Sequence, residues 1–193
     1  MRLSPVSLSL LSCCLLAVTS SSAFAQAPPA KPAVGTVMSP SVTYDKLLSG
    51  MEKEFVDAVE AMPEDKFNFA PPVTAGEFKG VRSFGGQAKH VAEANYYFFG
   101  DGKMTEAEGK AKDESIEKMT SKADIVKALK DSFLVAHAYI ASITPENVFV
   151  MTSNGTRGGM AAFGIAHMMD HYGQMVVYLR MNGIVPPASR GSM

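Results

Sequence analysis

Beyond residue 40 the apolar positions return at helical spacing in four separate stretches, and no run alternates as a strand would. In the first, about Val42 to Ala61, Leu47, Met51, Phe55 and Val59 recur every four residues on one face. Ser41 or Thr43 stands ready to cap it, and Pro63 ends it. The second covers about Ser83–Phe99, carries Phe84, Ala88, Val91 and Phe98 as its stripe, and stops at Gly100-Asp101-Gly102. The third starts at Ser121, where Ser121 and Asp124 have the spacing of a capping box. Its stripe is Ile125, Leu129, Phe133, Ala136, Ile140 and Ile143, and Thr144-Pro145 ends it. The fourth runs from about Met160 to Met181 and stops at Asn182-Gly183, with Pro186-Pro187 behind. Met168 and Met175 sit on its apolar face as core filler. Phe67–Pro72 reads as an aromatic connector sealing the core, and Lys103–Lys118 as a charged excursion with room for a short helix. Val148–Gly159 reads as a glycine-rich loop shaped by Arg157-Gly158-Gly159. Four amphipathic helices with one long middle connection predict an all-α fold, a four-helix bundle.

The N-terminus changes the picture. Arg2, an apolar stretch around Leu8–Val18 and the small–x–small run Ala23-Phe24-Ala25 have the form of a secretory signal peptide over residues 1–25. The stretch is too short and too rich in serine to span about 30 Å of hydrocarbon, so no stable membrane anchor is expected after cleavage. Residues 26–40, with Pro28, Pro29, Pro32 and Pro40, read as a flexible Ala/Pro-rich linker. Residues 41–188 are then the bundle domain and 189–193 a tail. The expected compartment is periplasmic or extracellular.

Composition narrows the chemistry further. The 193 residues carry a net charge of -1, which argues against a nucleic-acid binder working through general electrostatics. The two cysteines, Cys13 and Cys14, both fall in the signal segment. Losing 25 of 193 residues leaves a mature chain of 168 with no thiol nucleophile, thiolate ligand or disulfide. Its chemistry rests on His, carboxylates, hydroxyls, amides or a metal.

Two of the four histidines share one helical turn in His167-Met168-Met169-Asp170-His171. At i,i+4 they stack on one face and can converge on one ion. The spacing is that of helical zinc ligands in zincins, but no Glu follows the first His, so the protease base is missing from its usual place. His90 lies mid-way along the second helix, and an antiparallel bundle can bring it against the pair. Three imidazoles leave coordination positions open, the pattern of a catalytic site. They suit Zn, Ni, Fe or Mn about equally. Glu93 and Asp170 are the nearest carboxylates in sequence, able to orient a ligand imidazole or act as a base. Gln174 lies within reach of an outer hydrogen bond, and His137, alone on the third helix, reads as a packed or hydrogen-bonded residue.

His90 within Gly86-Gln87-Ala88-Lys89-His90-Val91-Ala92-Glu93-Ala94, the run His167-x-x-x-His171-x-Gly173-Gln174 and the ending Tyr178–Pro187 together resemble the DinB-like four-helix bundle superfamily, over about Val42–Ala188. The resemblance implies an up-down-down-up bundle, a divalent metal held by His90, His167 and His171, and in many members a homodimer. Tyr172 departs from the pattern: many members have Arg there, so no anion contact is implied at that position. The family includes thiol-dependent transferases of the cytoplasm, an activity that export argues against here. Two functions stand. One is an exported metal-dependent hydrolase or group transferase acting on an unidentified small molecule. The other is a non-enzymatic exported bundle that binds a metal or ligand.

Overall fold

The computed structural model describes residues 31–101 and 103–191. The expected signal peptide, the first part of the linker and the last two tail residues lie outside them. Met1–Thr36 is a unit separate from Val37–Met193; its described part is a turn closed by the Thr36 N–H on the Ala33 carbonyl, 3.1 Å. The second unit has five α-helices and, among the described residues, no strand: α1 Pro40–Ala61, α2 Phe84–Phe99, α3 Glu106–Glu117, α4 Lys122–Ala141 and α5 Arg157–Met181.

Two helix starts differ from the sequence reading, each for a local reason. α1 begins two residues earlier, because Ser39 accepts from the Val42 N–H and Pro40 takes the first helical position. Proline suits that position, its φ being preset and its missing N–H not needed there. α5 begins at Arg157, not Met160: Thr156 caps it by accepting from the Gly159 N–H. Gly158 is required inside that first turn, since a Cβ would lie 2.6 Å from Val148 Cγ2 and 3.1 Å from the Tyr44 hydroxyl. The charged excursion holds a full helix, α3, started by a reciprocal capping box between Thr105 and Glu108.

Arg157, expected only to shape a loop, ties three elements together. Its Nη1 donates to both carboxylate oxygens of Asp101 at 3.0 Å, Nη2 donates to Ser142 Oγ, and the guanidinium lies over the Tyr139 ring at 4.9 Å.

The pairings fix the helix directions. Gln87 meets Gln174 and Phe98 meets Phe163, so α2 and α5 run antiparallel. Lys130 meets Glu60 while His137 meets Asp45, so α1 and α4 are antiparallel. Asn95 with Ser132 and Phe99 with Tyr139 make α2 and α4 parallel. The order is up-down-down-up, with α1 opposite α2 and α4 opposite α5 across the core. Phe55, Phe84, Phe99, Phe133, Met168 and Met175 fill that core, all but inaccessible. The connector docks on the start of α2: the Phe84 and Gly85 N–H groups donate to the Phe69 and Phe67 carbonyls, both at 2.8 Å. Two of the four N–H groups left over at a helix start are thereby satisfied.

His137 clamps α4 to α1. Its Nδ1 is 2.7 Å from Asp45 Oδ1 and its Nε2 2.8 Å from Glu52 Oε2. Only the imidazolium can donate to both. Burial opposes the charge, but the hydrogen bonds to Glu52 and Asp45 outweigh it and hold the pKa above the ordinary 6.5. The folded value being raised, the stabilisation is complete below pH 6.5 and fades as pH climbs through the raised value. With all three groups partly solvated, the loss is expected to be about 1 kcal/mol or less. Denaturant titrations of wild type and His137→Gln check this: the stability gap should be wider near pH 6 than near pH 9, and an equal gap at both sinks the clamp.

Candidate metal centre

Midway along the antiparallel α2–α5 seam, His90, His167 and His171 come together, each offering a nitrogen within 4.8 Å of the others. The ring centroids are 5.1 Å apart for His90 and His167, 4.7 Å for His90 and His171, and 4.5 Å for His167 and His171. His171 is buried and the other two are half-buried, so the cluster is partly in contact with solvent. Two imidazole nitrogens on one tetrahedral zinc, each bonded at about 2.0–2.1 Å, lie about 3.3 Å apart. His167 Nε2 and His171 Nε2 are 3.2 Å apart, so these residues fit a divalent ion and could hold one.

The protonation states suit such a role. Burial, then Arg82 and His167, pushes the His90 pKa down to about 4. Burial, then His167 and His90, pushes His171 to about 4, and burial lowers His167 as well. The rings stay neutral at ordinary pH, the form that binds metals. In the metal-free protein a lowered folded pKa makes their contribution complete above the ordinary 6.5 and lost as pH falls toward about 4, opposite in sign to His137.

His171 is aimed by a chain of hydrogen bonds that ends on a carboxylate. Asp170 Oδ2 accepts from Gln174 Nε2 at 3.4 Å, Gln174 Oε1 accepts from Gln87 Nε2 at 2.9 Å, and Gln87 Oε1 lies 2.6 Å from His171 Nδ1. An ionised carboxylate only accepts, which orients both amides and leaves Gln87 Oε1 to take the Nδ1 proton of His171. The Nε2 lone pair then faces His167 and His90. Sequence reading found Gln174 and Asp170 but gave Gln87 no role. Its one signal was a glutamine in the apolar half of α2, three residues before His90, where it is 2% exposed. Gln87→Leu leaves that imidazole unsupported, and the expected result is a 10–100-fold weaker metal affinity in a folded protein. Competition against a chromophoric chelator measures it; wild-type affinity would remove the chain's orienting role.

Glu93 lies on the same side of α2. Its Oε2 is 3.9 Å from His90 Nδ1, and its Oε1 is buried with no partner. Burial first, then Glu117 and Asp113, pushes its pKa up to about 7. A half-buried carboxyl that titrates near neutrality beside an open cluster has the properties of a general acid or base. Asp170, the other carboxylate, is exposed and reaches the cluster through the two amides. Tyr172, the position that departs from the DinB-like pattern, interacts with Glu54 of α1.

A family model described as the DinB superfamily matches residues 47–175, a span that includes all three histidines. No curated protein matches the chain.

Proposed function

The chain belongs to the DinB superfamily, and from that premise we propose that it binds a divalent metal ion through His90, His167 and His171 and acts on a small molecule by hydrolysis or group transfer. The observation that carries this is the convergence of three neutral imidazoles beside the half-buried carboxyl of Glu93, whose Oε1 has no hydrogen-bond partner. A divalent ion bound there supplies Lewis-acid polarisation of water or of a substrate oxygen. The protein's own part is division of labour. Gln87 fixes the tautomer of His171. Phe98, its ring 5.2 Å from that of His167, shields one flank from water. Glu93 accepts or returns a proton at Oε1, and a pKa near 7 keeps both of its forms populated.

Elemental analysis of the purified protein, followed by ester and amide hydrolysis assays with and without metal, tests this. A stoichiometric divalent metal is expected, with Glu93→Gln retaining the metal and losing about 10²–10⁴-fold in turnover. Protein that neither carries nor takes up a divalent metal ends the proposal.

One observation favours the non-enzymatic reading. A cavity of about 540 Å³ lies at the C-terminal end of α2, lined by residues including Tyr96, Tyr97, Met104, Lys110 and Asn154 and by none of the three histidines. If a small molecule bound there while every hydrolysis and transfer assay with the metal-loaded protein stayed silent, the bundle would be a carrier.

Export is part of the proposal, supported by the leader-like pattern of residues 1–25. N-terminal sequencing of the protein from its native cell should begin at Gln26, and retention of Arg2 would count against export.

A further inference from the structure

We infer that a groove at the C-terminal end of α2 binds the substrate of the metal centre, and that this substrate is an uncharged aromatic molecule bearing an amide or hydroxyl group. The inference rests on the proposed metal site for the molecule's reactive end. Three hollows of about 540, 290 and 240 Å³ are all lined by Tyr97 and Asn154, and so form one groove. The first lies beside Met104 and the start of α3, and the last is lined by Phe98 and Phe163. Phe98 packs edge-on to Tyr97 and to Phe163, ring centroids 5.2 and 5.4 Å apart. On the inner side the Phe98 ring lies 5.2 Å from that of His167. Phe163 and His167 share a face of α5 one turn apart. The groove therefore ends one helical turn short of the histidines, and a molecule lying along it and over Phe163 reaches them.

The lining selects the chemistry. Tyr97 and Phe163 are 62% and 63% exposed, so both rings are free to stack on a flat apolar partner. Ser153 and Asn154 stand at the tip of a loop that is already tied. The Thr152 N–H donates to the Gly155 carbonyl at 2.7 Å, and Met151 and Thr156 form an antiparallel bridge. A loop ordered beforehand loses little freedom when a ligand binds. Thr152 Oγ1 takes the Asn154 backbone N–H, but among the described residues neither the Ser153 nor the Asn154 side chain has a partner. A hydroxyl and a carboxamide each donate and accept, which matches a neutral amide or hydroxyl group. The ionised group in the middle of the groove, Asp101, is already neutralised by Arg157 through two hydrogen bonds of 3.0 Å. A ligand charge placed there gives up its water without finding a counter-ion. Glu106, Lys110 and Asp113 stand apart at the α3 mouth, exposed to solvent.

Three probes with one ring system test this: 2-naphthamide, 2-naphthoate and 2-naphthylmethylamine, respectively neutral, anionic and cationic. Each is titrated by NMR into the zinc-loaded protein. The amide should bind wild type about tenfold more tightly than either charged probe. Tyr97→Ala should weaken it about tenfold and Asn154→Ala about fivefold. Both side chains are exposed and neither belongs to the metal centre, so both variants should fold and take up zinc as wild type does. With cobalt(II) in place of zinc, the paramagnetic ion should broaden the resonances of the bound amide, and His171→Ala should remove that broadening. If the amide does not bind, if a charged probe binds more tightly, or if Tyr97→Ala binds the amide unchanged, this inference fails and the metal site stands. If the amide binds but bound cobalt leaves its resonances untouched, the groove serves a ligand other than the substrate and the inference fails in the same way. If wild type takes up neither zinc nor cobalt, the metal site fails and takes the inference with it.

Discussion

Replacing His171 by alanine is expected to abolish stoichiometric binding of a divalent metal while leaving the bundle folded. His171 is the most buried of the three rings, at 7% exposure, and the one whose orientation is fixed by the chain through Gln87. Removing it leaves two imidazoles from different helices, with no side chain in place to complete the set. The loss should exceed the 10–100-fold typical of an outer partner such as Gln87. The substitution also leaves Gln87 Oε1 without its donor, a cost of about 1–3 kcal/mol that a domain stable by about 5–15 kcal/mol survives. The informative control is His137→Ala, which removes a histidine held between Asp45 and Glu52 on the α1 side. Circular dichroism should show both variants helical; chelator competition should show metal lost in the first and kept in the second. Metal retained at wild-type affinity by His171→Ala would mean that the ion sits elsewhere.

The second large effect lies in the core, at Phe99 and Gly164. Phe99 is 2% exposed and packs edge-on to Tyr139, ring centroids 5.7 Å apart. Phe99→Ala should cost about 3–5 kcal/mol, a large part of the domain's stability. α5 passes this ring at Gly164, where a Cβ would stand 2.6 Å from Phe99 Cζ and 3.2 Å from Phe98 Cβ. Gly164→Ala alone sets two effects against each other. Alanine gains about 1 kcal/mol of helix propensity, and overpacking against a buried ring costs about 1–3 kcal/mol, so the net change should be destabilising. In the Phe99→Ala background the obstructing ring is gone and the new methyl enters the void. There Gly164→Ala should stabilise by about 1 kcal/mol. Urea unfolding of the four proteins gives the cycle, and additive effects would show that the two positions do not meet.

Helices whose packing is regular were legible from the chain; contacts made across it were not. The stripe from Ile125 to Ile140 in α4, and Ile143 just past its end, are buried throughout, because spacings of three and four residues track a helix of 3.6 residues per turn. The α1 stripe was read at a strict spacing of four, which drifts around the helix. Leu47 is therefore exposed, and Leu48 takes the core position. The start of α5 was hidden because Gly158 and Gly159 are poor helix formers; Thr156 and the packing of Gly158 against Val148 override that preference. At the site, His167 and His171 were readable as a pair from spacing alone, and His90 through the antiparallel seam.

The up-down-down-up order sets His90 and the His167–His171 pair on neighbouring helices but roughly 80 residues apart along the chain. Joining them through one ion closes a loop of that length, and clips across long loops restrict the unfolded chain most. No cysteine falls among the described residues, so no disulfide ties the helices there. Three imidazoles would then serve as a reversible cross-link as well as a reactive centre. Resistance to heat and proteolysis would rise with the logarithm of free metal concentration once that exceeds Kd.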